Sequence, residues 1–458
     1  MSTNRALPIR RRSFLGQVAA GCLAGPLVAR GPLRAASPNG RLQHAAIGVG
    51  GMGAVDLDNL RQHPRVTVVA LCDVDAQRLK AAADKVPGAR LYRDWRELLE
   101  TEGDKVDSVN VSVPDHMHFP IACSAIERGK HTYLQKPMCH DVAEVRRLTE
   151  AATRQGVMTQ LGTQLASGAG DRTTVQYLRD GVIGEVRHVY ISANRPGAVE
   201  NYRPLGPRPA VGQPPPPNLD WDLWLGTAPE RPFVPDLYHP VKWRGWLDFG
   251  TGWSGDIGCH LFDAVWKGLR LTAPTSVTAR VEQSWQDSPA RRADTWPRAN
   301  HITWRFPGND ASGGEEMTIE WFDGEFWAPE EIRALYSVDQ YPTESAMVIG
   351  TRGALLNPPG STPHLLPAAK FTHIQPPTFD DRNHYHHFVD ACLGGPRCEC
   401  HFAQTGPMTE AILLGTVAVR LPETNLEWDH TALEVRQNPA ANELLCRTYR
   451  AGWHVGGL

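Results

Sequence analysis

The glycine-rich turn at residues 48–53 (Gly-Val-Gly-Gly-Met-Gly) is the feature that most constrains the fold of this chain. A short apolar run, residues 44–47, precedes the turn, and a helical pattern follows it. A second apolar run, residues 66–71, leads to Asp73, which lies 20 residues after Gly53. Glycines let a backbone approach a pyrophosphate, and a helix N-terminus offers it N–H groups. The pattern therefore predicts a dinucleotide site at the start of a βαβ unit.

The acid at the end of the second strand indicates which dinucleotide is bound. A carboxylate at Asp73 accepts hydrogen bonds from ribose hydroxyls and repels a 2′-phosphate, so NAD is predicted. Arg78 stands nearby and leaves NADP open. The competing interpretation is a glycine turn that binds no ligand. It is disfavoured because strand, turn, helix and acid all agree.

The same alternation continues through the first third of the chain. Helices are predicted at residues 94–99, 119–128 and 142–155, and strands at 106–113, 131–134 and 157–161. Strands that alternate with helices of this length form a doubly wound parallel sheet, which binds its ligands beyond the carboxyl ends of its strands. Gly50, Asp73, Pro114 and Lys136 all fall at such ends.

Three groups of residues resemble the glucose–fructose oxidoreductase / inositol dehydrogenase / rhizopine catabolism (Gfo/Idh/MocA) family. They are the glycine turn with residues 72–75, then residues 113–118 with 133–137, and finally residues 250–263. Residues 383–391 and 449–453 extend the likeness. The resemblance implies an α/β chain with an N-terminal Rossmann domain at 41–163. A C-terminal α/β domain at 164–458 would be built on a large, mostly antiparallel, open-faced sheet, with its last helices packed back on the Rossmann domain.

The resemblance also implies a catalytic set of Lys136, Asp256 and His260. This set suits carbinol oxidation, because a neutral His260 takes the hydroxyl proton and Lys136 donates to the developing oxygen. Asp256 lies one helical turn before His260 and can orient its ring. An ordinary surface i,i+4 pair is the competing interpretation. Gln135 stands where the family has Glu, which removes a charge beside Lys136 and puts the pH profile in doubt.

The predicted ligand-binding residues form two sets. Cofactor binding is assigned to Gly48, Gly50, Gly51, Met52, Gly53, Asp73, Pro114, His118, Gln135 and Lys136. Substrate binding is assigned to Arg244, Trp253, Asp256 and His260. No metal site is predicted, since neither the histidines at 384–387 nor the group at 398–401 has a standard zinc spacing.

The second half begins with a Pro-rich segment at residues 196–240 that shows no periodic pattern. The aromatic residues at 238–246 suit either a sugar face or the anchoring of a long arm, and these alternatives are equally supported. Alternating patterns predict strands at residues 276–285, 301–306 and 317–322.

The first 36 residues hold six arginines and no acid, and an apolar stretch follows the basic run at 10–12. They resemble a twin-arginine signal peptide, which predicts a periplasmic or otherwise exported protein. The remaining residues carry 41 basic against 50 acidic side chains. Such a body has no basic footprint for nucleic acid, and no membrane span is predicted. The eight cysteines beyond Cys22 show no readable pairing.

The predicted export signal limits how the cofactor can be used, because nicotinamide cofactors are cytosolic. We therefore expect a tightly bound NAD that returns to its starting state in each cycle. The main expectation is an oxidoreductase that acts on a sugar, glycoside or cyclitol carbinol. Two alternatives are a glycosidase or lyase working by transient oxidation, and a non-catalytic sugar- or nucleotide-sensing protein. The resemblance also implies a homo-oligomer formed through the C-terminal sheet.

Overall fold

A computed structural model describes residues 40–196, 202 and 206–455 of the chain. The predicted signal peptide lies outside these residues. Within them, no helix is long and apolar enough to cross a membrane.

The first sheet is parallel and has the strand order β3-β2-β1-β4-β5-β6 in the described chain. Its strands are β1 (Leu42–Ile47), β2 (Val66–Cys72), β3 (Arg90–Tyr92), β4 (Ser108–Val111), β5 (His131–Leu134) and β6 (Thr159–Leu161). The intervening helices are α1 (Met52–Leu60), α2 (Ala76–Lys85), α3 (Trp95–Glu102), α4 (His118–Glu127) and α5 (Val142–Gln155). Ile47 pairs with Cys72 on one side and Val111 on the other, so the carboxyl ends of three strands are level. The predicted Rossmann sheet is confirmed.

Local signals set the ends of these helices. The Asp75 carboxylate accepts from the N–H of Gln77 at 2.9 Å and caps α2, and Asp94 caps α3 by accepting from Arg96 N at 2.8 Å. Gly156, with φ of 63°, ends α5 in a left-handed conformation.

The second sheet is mixed and has the order β13-β12-β11-β7-β10-β9-β8-β14-β15 in the described residues. Its strands are β7 (Val186–Ala193), β8 (Ser276–Val281), β9 (Asn300–Phe306), β10 (Met317–Phe322), β11 (Glu344–Gly350), β12 (Gly353–Asn357), β13 (His364–Leu366), β14 (Leu426–Asp429) and β15 (Glu434–Val435). The pair β7 and β10 is parallel, and the other neighbours are antiparallel. The predicted fold class is therefore confirmed.

Helices α6 to α14 follow the parallel sheet in the described chain. They are α6 (Ala169–Arg179), α7 (Trp221–Leu225), α8 (Gly252–Gly268), α9 (Gln283–Gln286), α10 (Pro289–Asp294), α11 (Glu330–Arg333), α12 (His384–Cys392), α13 (Phe402–Arg420) and α14 (Pro439–Glu443). Short 3₁₀ helices lie at Gly103–Lys105, Asp115–Met117, Gln164–Ser167, Lys242–Gly245, Asp310–Ser312 and Ala368–Lys370.

The strand expected at 276–285 is wrong over its last residues. β8 ends at Val281, and α9 begins at Gln283. In this turn Trp285 is fully buried and its indole N–H donates to Thr295 O at 2.8 Å. Over so few residues the spacing of apolar positions does not separate a strand from a helical turn.

Helix α8 connects the large sheet with the candidate catalytic residues, because it carries Asp256 and His260. It is buried along nearly its whole length and packs against α6 and α13. On its Rossmann side, α13 packs against α5, and Arg146 of α5 donates to Glu410 of α13 at 2.7 Å. The α12 residue Tyr385 donates to Asp56 of α1 at 3.0 Å. The last helices thus hold α8 in place relative to the nucleotide-binding half.

The Pro-rich segment does not remain structureless over its described part. Residues 206–250, here called the arm, contain α7 and one 3₁₀ helix. The arm has its own apolar cluster, made by Leu219, Trp224, Leu225, Ala228, Phe233, Tyr238, Trp243, Trp246 and Phe249. It therefore adds an ordered layer beside the nucleotide-binding half.

Candidate cofactor and active site

The glycine turn is shaped by two close backbone approaches. A Cβ on Gly48 would lie 2.3 Å from Ser112 O, and one on Gly53 would lie 2.1 Å from Gly48 O. Larger residues are excluded at both positions because the opposing atoms are backbone. Gly51, at the start of α1, has open space around it. The turn thus presents the N-terminus of α1 to a free volume, as a pyrophosphate site requires.

Asp73 holds this turn in place. Its carboxylate accepts from the N–H of Val49 at 2.9 Å and from the N–H of Asp75 at 2.9 Å. Burial raises the pKa of Asp73, while these two backbone hydrogen bonds oppose the shift. Each carboxylate oxygen keeps a further lone pair, so the group can still accept from ribose hydroxyls.

A cleft of about 270 Å³ starts at the turn and reaches Lys136, the member of the candidate catalytic set that lines it. Of the predicted cofactor residues it contains Gly48, Gly50, Gly51, Met52, Asp73, Pro114, Gln135 and Lys136, and it also contains Arg244. Gly53 lies beneath the turn, against Gly48. The observed residues therefore fit a dinucleotide along the carboxyl edge of the parallel sheet.

His118 serves a different structural role from the residues that line the cleft. It is fully buried, and its ring nitrogens lie 2.6 Å from Pro137 O and 2.8 Å from Val113 O. It joins the loops that carry Pro114 and Lys136. Its polar atoms are thus used inside the protein.

Lys136, at the far end of the cleft, belongs to a polar cluster with Asp256 and Tyr202. Lys136 Nζ donates to Asp256 Oδ1 at 2.6 Å, and the Tyr202 hydroxyl donates to Asp256 Oδ2. Arg244 Nε lies 3.5 Å from the same Oδ2. Asp256 is 2 % exposed. A buried carboxylate with two cations and one hydroxyl around it is well compensated, and the cluster carries positive charge where an alkoxide would develop.

His260 follows Asp256 by one turn of α8. Burial, and then the charge of Lys136, lower the pKa of His260 to about 3. The ring is therefore neutral in the physiological range and can accept a proton. Its Nδ1 is buried and has no hydrogen-bond partner among residues 40–196, 202 and 206–455.

Gln135 contacts the carboxylate of Asp56, a neighbour that the sequence did not predict. Its Nε2 donates to Asp56 Oδ1 at 2.9 Å and Oδ2 at 3.0 Å, and its Oε1 accepts from Lys136 N at 3.2 Å. Burial raises the pKa of Asp56 to about 6. A glutamate at 135 would put two buried carboxylates in contact, so the amide is the residue that suits this neighbour.

Trp253 is buried, and its indole N–H donates to Ala193 O at 2.7 Å. Its ring packs edge-on against Tyr202 with centroids 4.9 Å apart. Only its apolar surface remains to shape a substrate site. Arg244 in turn stacks over the Trp243 ring at 4.3 Å, which fixes its guanidinium near Asp256.

The histidine and cysteine groups near the C-terminus are built into packing. His384 Nδ1 lies 2.9 Å from Ser167 Oγ, and His386 packs edge-on against His63 at 5.0 Å. Cys400 Sγ lies 3.6 Å from Lys267 Nζ. Within the described part of the chain, no group of three or more His, Cys, Asp or Glu residues is arranged to hold a metal.

Comparison with known protein families shows to which family the chain belongs. The family model for the NAD-binding Rossmann fold of the oxidoreductase family GFO_IDH_MocA matches residues 42–163. The model for the C-terminal alpha/beta domain of the same family matches residues 173–306, and the two together cover more than half of the chain. The chain belongs to the Gfo/Idh/MocA family. Its nucleotide-binding half is thus the NAD-binding domain of that family.

Individual relatives match about a third of this chain. D-apiose dehydrogenase of Paraburkholderia graminis is 31% identical over 144 residues, which are 31% of this chain and 38% of the relative. Inositol 2-dehydrogenase of Salmonella typhimurium is 28% identical over 162 residues, 34% of this chain and 48% of the relative. The matched segments thus span less than half of either relative.

The WlbA dehydrogenase of Bordetella pertussis, solved with NADH and UDP-GlcNAcA, superposes with a TM-score of 0.57 at 14% identity. It covers 85% of this chain and 99% of WlbA, which shows a common fold.

Two site residues of this Gfo/Idh/MocA chain were not predicted. Tyr202 lies in the Pro-rich segment, and no local pattern connects it with Asp256. Asp115 lines the cleft, and its Oδ2 lies 3.2 Å from both the N–H and the hydroxyl of Thr251, where α8 begins. Burial, and then the charge of Asp256, raise the pKa of Asp115. Its position directly after Pro114 was the available signal.

Proposed function

We propose that this protein is an NAD-dependent oxidoreductase that acts on a sugar, glycoside or cyclitol carbinol and keeps its cofactor bound. The observation that carries the proposal is a cleft whose lining includes both the glycine turn with Asp73 and the catalytic candidate Lys136. Lys136 is in turn bonded to Asp256, one helical turn from His260. Cofactor-binding and proton-handling groups thus share one site.

The cofactor, when bound, supplies the hydride acceptor, and the chain supplies the remaining chemistry. The N-terminus of α1 and Asp73 would hold the pyrophosphate and the ribose. The Asp73 carboxylate stands at the ribose end of the cleft, which favours NAD over the 2′-phosphate of NADP. Lys136 has three N–H donors, and Asp256 engages only one of them in the observed geometry. The others can donate to a substrate oxygen.

His260 is the group assigned to take the hydroxyl proton. Its ring is neutral, and its buried Nδ1 has no hydrogen-bond partner among the described residues. The surrounding cations, Lys136 and Arg244, stabilise negative charge that develops on the carbinol oxygen. We assign the rings of Trp253 and Tyr202, which are buried near Asp256, to the C–H face of the sugar ring.

The test combines nucleotide identification with product analysis. Protein purified without added nucleotide is denatured, and the released small molecules are identified by absorbance and mass spectrometry. We expect close to one NAD per chain, and oxidation of a carbohydrate coupled to reduction of a second carbonyl compound. A free aglycone formed without net oxidation would instead indicate the glycosidase alternative.

Lys136→Ala should bind NAD and lose turnover. If it equals the wild type on every carbohydrate that the wild type converts, the catalytic assignment is wrong.

The location is part of the same proposal. The residues at 11–15 (Arg-Arg-Ser-Phe-Leu) support export of the folded, loaded protein by the twin-arginine route. Replacing Arg11 and Arg12 by lysine should leave a loaded protein in the cytosol. Unchanged export of the double variant, measured by cell fractionation, would contradict this route.

A further inference from the structure

We infer that the arm supplies the second wall of the adenosine end of the cofactor site and prevents the cofactor from exchanging during turnover. The inference rests on the proposed function, since it concerns how the same site retains its nucleotide. Leu223, Trp224, His239, Pro240, Val241 and Trp243 of the arm line the same cleft as the glycine turn and Asp73. A nucleotide seated between these walls contacts both.

Backbone hydrogen bonds pin the arm to the loop that follows Asp73. Ala76 N donates to Asn218 O at 2.8 Å, and Asp220 N donates to Val74 O at 3.0 Å. Between these bonds, Leu219 and Asp75 form an antiparallel bridge. The arm is therefore attached like a short strand to the very loop that carries the ribose-binding acid.

Side chains reinforce this attachment. Asn218 Nδ2 donates to Asp75 Oδ1 at 2.8 Å. Arg93 Nη2 donates to Val74 O at 2.7 Å and to Asn218 O at 3.2 Å, so one guanidinium bridges both sides of the contact. These groups are partly buried, where such hydrogen bonds are costly to break.

Two flat polar groups, one from the arm and one from α2, line the cleft beside Asp75. His239 of the arm has its Nε2 3.5 Å from Asp75 Oδ2, and Arg78 of α2 has its Nε 3.5 Å from the same oxygen. Arg78 also lies over the glycine turn, since a Cβ on Gly50 would be 2.3 Å from Arg78 Cδ. Burial, and then the charge of Arg78, lower the pKa of His239, which keeps the imidazole neutral. Planar groups with polar edges suit the face and rim of a purine.

The aromatic cluster makes the arm a rigid wall. Trp221 and Trp224 stack at 4.7 Å, and Trp224 packs edge-on against Phe249 at 4.8 Å. The C-terminal segment holds the same region, because Arg450 Nη1 donates to Asp222 Oδ1 at 2.6 Å. Opening the adenosine end therefore requires the arm to move as a unit.

A chase experiment on NAD release tests this inference. The mature protein is loaded with isotopically labelled NAD and diluted into an excess of unlabelled NAD, and the retained label is followed by mass spectrometry. Asn218→Asp puts a second carboxylate 2.8 Å from that of Asp75, where Asn218 Nδ2 now donates. We expect label release at least about tenfold faster than in the wild type. Gln213→Glu makes the same charge change at an exposed position of the arm and should release label at the wild-type rate.

A second variant, His239→Ala, removes one wall without adding charge and should also accelerate release, which keeps the inference testable if Asn218→Asp does not fold. Thermal unfolding identifies variants that fold. Equal release rates in wild type and folded variants would overturn the inference while leaving the proposed function intact. Wild-type release faster than turnover would overturn the inference together with the cofactor retention in the proposed function, but not the oxidoreductase activity. If the folded wild type binds neither NAD nor NADP, the proposed function itself fails.

Discussion

At the scale of single residues, buried Gln135 shows how a neighbour determines a departure from a family pattern. Its amide donates to both oxygens of Asp56, which also accepts from Ser112 Oγ at 2.7 Å. The resemblance predicted Gln135 as a cofactor-binding residue, and it does border the cleft. Its polar atoms, however, join the base of the cleft to α1. This partner could not be predicted because Asp56 lies 79 residues away in sequence.

We predict that Gln135→Glu lowers the free energy of unfolding by about 1–3 kcal/mol at pH 7, the cost of a buried polar group that loses its partner. The two carboxylates would face each other where burial already raises the pKa of Asp56 to about 6. Adding Asp56→Asn restores a donor opposite the new carboxylate and should recover most of the loss. Denaturant unfolding of the two single variants and the double variant measures the coupling. Additive losses would show that the two side chains do not interact.

Tyr202 gives the second residue-scale prediction. Its hydroxyl donates to Asp256, whose other oxygen accepts from Lys136. Removing the hydroxyl with Tyr202→Phe leaves the ring against Trp253 and frees Asp256 to shift. We expect kcat on the carbohydrate substrate to fall about tenfold, about 1.4 kcal/mol in barrier, with NAD release unchanged. Steady-state kinetics and the label chase separate these effects. A variant with unchanged kcat would show that the hydrogen bond does not position the catalytic carboxylate.

At the scale of elements, the predictions succeeded where the signal was local and failed where contacts are distant. The strands and helices of the parallel sheet follow from turns, caps such as Asp75, and apolar runs. The arm could not be predicted as a wall of the site, because Trp224 and Phe249 meet only after the chain folds back. The ending of β8 at Val281 was missed since a short apolar spacing fits both a strand and a turn of helix.

The crossing of α8 and α13 supplies the element-scale prediction. A Cβ on Gly258 of α8 would lie 2.9 Å from Ile412 Cγ2 of α13. Gly258→Ala should therefore lower the free energy of unfolding by about 1–3 kcal/mol, although alanine is favoured in helices. Gly103 has nothing within 4 Å of an added Cβ, so Gly103→Ala is the control and should be neutral or slightly stabilising. Thermal or denaturant unfolding compares them. A stabilised Gly258→Ala variant would contradict the close helix contact.

At the scale of the whole molecule, one surface of the large sheet has features of an interface. On its outer side, His188 and His301 lie 2.8 and 2.9 Å from the two carboxylate oxygens of Glu320. Burial alone would raise the pKa of Glu320, but these hydrogen bonds lower it to about 2. Tyr190 and Phe322 flank the group. Nearby large apolar side chains are exposed, among them Leu335, 47% exposed, and Trp327, 41% exposed.

This surface leads to the last prediction, which concerns assembly. Clustered exposed apolar side chains beside an ordered polar network are typical of contact surfaces between subunits. We expect the mature protein to be a homo-oligomer through this sheet, and Leu335→Glu to shift it towards the monomer because the charge would be buried without a partner. Val211, 82% exposed in the arm, provides the matched control, since Val211→Glu adds the same charge away from the sheet. Light scattering after size exclusion gives the masses. A monomeric wild type would contradict the assembly, and an oligomer that Leu335→Glu leaves intact would place the contact elsewhere.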